Sequence, residues 1–226
     1  MKKIISKFFL GKHDSVYTNN RSSIQLQVKN LKSIWNNESY EDVGIERIVR
    51  LLLAIAPFLF PGLYIKHFFE KYGFSAKVIA IDIFVIFKTF LPFLLLIFNQ
   101  LNHPIWLGIS IYLMLETISY IPIQIFASDH TISQSGFKRT NILVFFNYLE
   151  VVFTFAYIHY IGNYFNQELA HFIDAVYISF VFTSTIGLGD FYPISMLGKI
   201  IVCCQSLFYI SYIVLFINFA NQKIKK

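Results

Sequence analysis

Four stretches of this chain, residues 78–98, 104–126, 142–161 and 197–219, stay apolar for the roughly 20 residues a helix needs to cross bilayer hydrocarbon. In that medium only helices or closed barrels satisfy their own backbone, and runs of this length and continuity read as helices. The fold class that follows is all-α and integral to a membrane. Composition agrees where it bears on this. The chain is 56% hydrophobic and 14% charged, against about 25% charged in an ordinary soluble domain. Its 26 phenylalanines exceed what a core of this size needs and suit a surface that faces lipid.

The net charge of +6 matters through its placement. Lys and Arg of membrane proteins collect on cytoplasmic loops, so no nucleic-acid partner is expected. Nine of the 19 Lys and Arg lie in the first 50 residues. Lys66, Lys71 and Lys77 lie before the first span, Lys138 and Arg139 in the 127–141 loop, and Lys223, Lys225 and Lys226 at the end. The turn at 99–103 and the segment 162–174 have neither residue. This puts residues 1–47 and the C-terminus in the cytoplasm, and 99–103 and 162–174 outside. The terminal Lys cluster reads as an anchor to lipid headgroups, with sensitivity to anionic lipid as its sharper form. A content high in Phe, Ile, Asn and Lys fits an AT-rich bacterial genome, which points to a bacterial inner membrane.

Two segments do not fit a simple span. Ile24, Leu26 and Val28 alternate and then give way to Leu31, Ile34 and Trp35, so the N-terminal segment is expected to be strand-like and then helical. Residues 51–65 are apolar for too short a length and contain Pro57, Pro61 and Gly62. They read as a broken or interfacial helix, the alternative being a fifth span with Arg50 and Lys66 reaching opposite surfaces. With the spans at 78–98 and 104–126, they make 48–126 an accessory membrane unit.

The chemistry lies between the last two spans. Residues 172–184 form one short helix that cannot cross a membrane, with Asp174 placed to complement its N-terminal dipole. Thr185-Ile186-Gly187-Leu188-Gly189-Asp190 follows, Gly-rich and non-helical. Irregular backbone at membrane depth is tolerated where it is buried in protein or lines a water-filled path. Removing water from a monovalent cation requires replacement oxygens, and a strand whose carbonyls face one way supplies them. Such a strand needs positive φ, which Gly187 and Gly189 adopt without a Cβ penalty. Ile186 and Leu188 would point away from the axis and pack on the short helix. Thr185 would add its hydroxyl, and Asp190 would concentrate cations at the mouth. One strand cannot encircle an ion; four can, so a homotetramer is expected.

The hexapeptide resembles the filter signature of potassium channels, four TVGYG loops in the family's usual form. Phe191-Tyr192-Pro193 and Gly198-Lys199 extend the resemblance. It covers residues 142–221 as outer helix (142–161), pore helix (172–184), filter (185–190) and inner helix (197–219), preceded by additional transmembrane helices. It implies passive K+ conduction, with the ion as permeant ligand held by the backbone carbonyls of Thr185, Ile186, Gly187 and Leu188. No cofactor is implied. Three departures bear on this. Leu188 replaces the usual Tyr, as in some filters of two-pore-domain potassium channels. Val181 stands where some relatives carry a Glu that braces the filter Asp, leaving Tyr177 to reach Asp190 and Ser184 to support the filter entrance. Tyr209 and Ser211 lie where a hinge glycine is common. A less selective cation channel and a non-conducting accessory subunit are the alternatives.

Ionisable residues inside spans are costly and default to functional candidates. Lys88 and Glu116 fall at similar depth across the 99–103 turn and are expected to pair, with Glu150 as a rival partner coupling these helices to the pore. No span carries Lys or Arg at every third position, so voltage sensing by that route is not expected. Nor is an enzyme: the His residues share no metal spacing, and Cys203 and Cys204 are adjacent in an apolar run.

Overall fold

A computed structural model describes residues 22–38, 41–98, 104–127 and 137–224. The first 21 residues of the N-terminal segment, the 99–103 turn, the centre of the 127–141 loop and the last two lysines lie outside them. The described residues contain no strand. Their helices are α1 (Ser23–Trp35), α2 (Ile45–Ile55), α3 (Pro61–Phe69), α4 (Phe74–Ile97), α5 (Pro104–Phe126), α6 (Phe137–Gly162), α7 (Phe172–Thr183) and α8 (Met196–Ile224). Four are long and apolar enough to cross a membrane, in the segments Phe74–Ile97, Pro104–Phe126, Asn141–Gly162 and Met196–Val214. The protein is all-α and integral to the membrane.

The N-terminal segment is helical where strand was expected. Ser22 and Gln25 close a reciprocal capping box, Gln25 N–H to Ser22 Oγ at 3.2 Å and Ser22 N–H to Gln25 Oε1 at 3.1 Å. With both first-turn donors satisfied, the cap overrides the short alternation of Ile24, Leu26 and Val28. Helix α1 then ties the ends of its neighbours. Asn30 Nδ2 donates to Ala127 O at 2.6 Å and Gln27 Nε2 to Ala54 O at 3.2 Å. Arg50, held by Asp42, donates from Nε to Phe126 O at 2.8 Å. The last carbonyls of α5, which have no partner within their own helix, are closed in this way. Where α3 runs into α4, partial burial pushes the Glu70 carboxyl up. Hydrogen bonds from the Ser23 side chain and backbone, with Lys77, more than offset this and leave it below its ordinary range.

The awkward 51–65 stretch is broken. A 3-10 turn at Ala56–Leu59 ends α2, Phe60 is extended, and α3 restarts with Pro61 at its first position. The two pieces meet at a bend of 61°. Pro61 forces the break, since it lacks an N–H and disfavours helix at the residue before it. The freed groups find side chains. Tyr112 donates to Leu59 O, and Tyr64 donates to Phe58 O at 2.7 Å. Gly62 N–H donates to Glu116 Oε1 at 3.0 Å, placing a carboxylate at the positive end of α3. A Cβ on Gly62 would crowd that oxygen and displace the Glu116 carboxylate.

Lys88 links this break to the rest of the bundle. Its Nζ lies 3.3 Å from Glu150 Oε2 on α6 and 4.0 Å from Glu116 Oε2 on α5, and it donates to Thr117 Oγ1. The pairing expected with Glu116 is therefore shared, and Glu150 is the nearer partner. Thr117 in turn donates to Glu150 Oε2 at 2.7 Å. Lys88 and Glu150 are 4% and 1% exposed. Helix α4 packs most extensively on α6, and α6 on α7, around a core that includes Leu95, Leu96, Phe153, Ala156, Ala175 and Ile178.

Removing one partner of a buried ion pair costs about 3–5 kcal/mol, because the other is left uncompensated. Lys88→Met should therefore lower the melting temperature of the detergent-solubilised protein steeply. Adding Glu116→Gln and Glu150→Gln to it should recover much of the loss. A single variant that melts with the wild type would show that the group carries no structural load.

Candidate functional site

Helix α7 leads into residues 184–190, which connect it toward α8. Asp174 Oδ2 accepts the His171 N–H at 2.9 Å at the helix start. The other end is closed by the segment that follows it. Ser184 N–H donates to Phe180 O at 2.8 Å, Ile186 N–H to Val181 O at 3.2 Å and Thr185 N–H to Phe182 O at 3.3 Å. Ser184 Oγ also donates to Val181 O at 3.2 Å. Val181 and Ser184 thus meet the segment through a backbone carbonyl and a capping hydroxyl.

The backbone then alternates. Thr185 has φ +58°, Gly187 +57° and Gly189 +83°, while Ile186 and Leu188 do not take positive φ. Alternating handedness turns successive carbonyls of an extended segment toward one side, the arrangement that offers oxygens to a desolvated cation. Thr185 is the unusual member, because a β-branched residue at positive φ is a genuine outlier. Its N–H bond to Phe182 O and the closed end of α7 hold it there. Ile186 and Leu188, expected to pack on the short helix, are instead 63% and 62% exposed within the chain.

The outer end is tied at Asp190. Tyr177 Oη donates to Asp190 Oδ2 at 2.8 Å, and this bond is the main reason the phenol is held above its ordinary range. Asn166 Nδ2 and Gln167 Nε2 reach Asp190 O at 3.2 and 3.4 Å. Asn166 also brackets Tyr192, accepting its N–H on Oδ1 at 2.9 Å and donating its own N–H to Tyr192 O at 3.0 Å. A bridge between Phe165 and Pro193 continues this contact.

The structure brings Thr185, Ile186, Gly187, Leu188, Gly189, Asp190, Tyr177, Val181 and Ser184 into one neighbourhood. Lys88 and Glu116 stand apart from it, on α4 and α5, and meet the α6–α8 unit through Glu150. Asn166, Gln167, His159, Gln205, Ser179 and Thr183 were not singled out from sequence. The first two lie in a stretch whose only visible property was its lack of Lys and Arg. Gln205 carried a signal, an amide inside an apolar run, but no charge to draw attention to it. Among the described residues no group of His, Cys, Asp or Glu could hold a metal ion.

Comparison with protein families matches residues 142–226 to a family described as ion channel. No curated protein and no solved structure matched the chain.

Tyr177→Phe combined with Asn166→Ala removes the bonds these two side chains make to Asp190 and Tyr192. Hydrogen–deuterium exchange should then rise at residues 187–192 while α6 keeps its protection. Unchanged exchange at 187–192 would mean that neither side chain restrains the segment.

Proposed function

We propose that the ion channel whose domain occupies residues 142–226 conducts K+ passively, as a homotetramer, through a filter formed by residues 185–190. The observation that carries this reading is the alternation of positive φ at Thr185, Gly187 and Gly189. It occurs in a Gly-rich segment set between a short apolar helix and the last span. The potassium ion is cargo, and the carbonyls of Thr185, Ile186, Gly187 and Leu188 replace its hydration shell. Asp190 lies at the outer mouth, where a ring of carboxylates raises the local cation concentration.

The assembly follows from what one chain leaves open. Ile186 and Leu188 are exposed, and only 11% of the spanning window of α8 is buried. A fourfold arrangement would cover these faces and close four strands into one ring. The filter faces outward and the C-terminus lies in the cytoplasm, from the distribution of Lys and Arg. A less selective cation path is the second reading, favoured by Leu188, which carries no hydroxyl to brace the filter. A non-conducting accessory subunit is the third, and it would have no use for the strained backbone at Thr185.

The purified protein in planar bilayers, under opposed K+ and Na+ gradients, should reverse near the potassium equilibrium potential. Gly187→Ala should abolish the current, since a left-handed conformation costs an L residue roughly 1–2 kcal/mol in each copy. Robust current reversing near zero would establish the unselective path. Silence in every condition would favour the accessory subunit.

A further inference from the structure

Both ends of the bent α2–α3 segment are fastened to its neighbours at one level of the bundle. Near its start, Arg50 Nε donates to the carbonyl of Phe126, the last residue of α5, at 2.8 Å. At its far end, Glu70 accepts from Lys77 Nζ, in the first turn of α4, at 2.9 Å. Helices α4 and α5 are separated by residues 98–103 alone. A connection of that length reaches about 25 Å at full extension, short of the roughly 30 Å of bilayer hydrocarbon. The start of α4 and the end of α5 therefore lie at the same surface. Helix α1 joins the two anchor points directly. Ser23 N–H donates to Glu70 Oε2 at 2.9 Å and Asn30 Nδ2 to Ala127 O at 2.6 Å, and the helix between them rises only about 10 Å.

Between these ends the segment goes deep. Tyr112 donates to Leu59 O, and Gly62 N–H donates to Glu116 Oε1 at 3.0 Å. Tyr112 and Glu116 stand fourteen and ten residues before the end of α5, about 21 and 15 Å along its axis. The bend thus reaches toward the middle of the hydrocarbon, while Arg50 and Glu70 stay at one surface. A fifth span, with Arg50 and Lys66 at opposite surfaces, does not fit this geometry.

The outward face of the pair is apolar along its length. Ile48, Leu52, Ile55 and Leu59 recur at helical spacing, and Tyr64 and Phe68 continue the stripe on α3; all six are 45–66% exposed. Residues suited to a headgroup region flank it. Arg47 Nη2 donates to the carbonyl of the exposed Trp35 at 3.1 Å at one end, and Lys71 and Tyr72 are exposed at the other. Lipid is the partner this order fits, since basic and aromatic groups meet headgroups and the stripe meets acyl chains.

We propose that α2 and α3 form a re-entrant pair that enters and leaves the bilayer at its cytoplasmic surface, and that its outer stripe docks on the acyl chains of that leaflet. The cytoplasmic assignment rests on the distribution of Lys and Arg; the shared side of the two ends rests on the bonds above. Neither depends on which ion the channel conducts. The stripe belongs to the segment whose Gly62 amide holds Glu116, so lipid and the buried charge group meet on one element.

Thiol labelling of the full chain tests the topology. In a Cys203→Ser, Cys204→Ser background, Val43→Cys and Lys71→Cys should react with a membrane-impermeant maleimide in inverted vesicles of the expressing host and not in spheroplasts. Glu168→Cys, in the outer 162–174 segment, should show the reverse. These positions are exposed, as are the two native cysteines, so the substitutions leave the packed interior untouched. Reaction of Val43→Cys and Lys71→Cys from opposite faces would overturn the re-entrant pair in favour of a fifth span. Reaction of both from the outer face would overturn the cytoplasmic assignment. Spin labels on Leu52→Cys and Leu59→Cys in phosphatidylcholine vesicles then read the stripe. The ratio of collisions with oxygen to collisions with a water-soluble nickel chelate should be severalfold higher at Leu59 than at Val43. Labels immobilised and shielded from oxygen at both positions would mean that a second copy covers the stripe, and would overturn the lipid contact.

Discussion

A backbone N–H or C=O left without a partner in hydrocarbon costs several kcal/mol, and three departures from regular helix among the described residues are arranged around that cost. The break at Phe60 exposes carbonyls that Tyr64 and Tyr112 bind, and a helix N-terminus that Glu116 binds. The last carbonyls of α5 are closed by Asn30 and Arg50. At the end of α7 the carbonyls of Phe180, Val181 and Phe182 are taken by the amides of the segment they precede. That last solution differs from the others. There the irregular backbone caps the helix itself, through the amides of Ser184, Thr185 and Ile186.

The buried charges follow the same logic. Glu116 could not sit at its depth without a donor, and the restart of α3 at Pro61 supplies the Gly62 amide together with the positive end of a helix dipole. Lys88 then serves two carboxylates on different helices. The broken segment, α4, α5 and α6 are thereby joined through charged groups rather than through apolar packing alone. Because α6 also packs on α7 and carries His159, the α2–α3 bend is joined to α7 by continuous contacts.

The sequence made the spans legible because length and apolarity carry that information locally, and it made the Gly187 and Gly189 backbone legible because few other residues take positive φ. Positive φ at Thr185 was not legible, since nothing about a threonine announces it; the constraint comes from the capped end of α7. The α1 strand-to-helix expectation failed for a local reason, a capping box outweighing three alternating residues. Sharing of Lys88 between Glu116 and Glu150 depends on helix rotation, which depth along a span does not specify. Gln205 and His159, 46 positions apart, are joined only by tertiary packing. The exposure of Ile186 and Leu188 was equally out of reach, because the expected packing partner was the chain's own short helix.

The two ends of the 185–190 segment are held by bonds of different character. At the inner end Ser179, Thr183 and Gln205 are 0%, 2% and 1% exposed, so their hydrogen bonds act at low dielectric and do not compete with water. At the outer end Tyr177, Asn166, Gln167 and Asp190 are exposed, and each of their bonds can be exchanged for one to solvent at little cost. Local opening begins where backbone hydrogen bonds face solvent and buried contacts are few. The outer half, Leu188 to Asp190, is therefore the part able to rearrange on its own. The inner half is held to the end of α7 through the amides of Thr185 and Ile186. A segment fixed from behind and loosely tied in front is therefore set at one end by buried packing and at the other by exposed bonds.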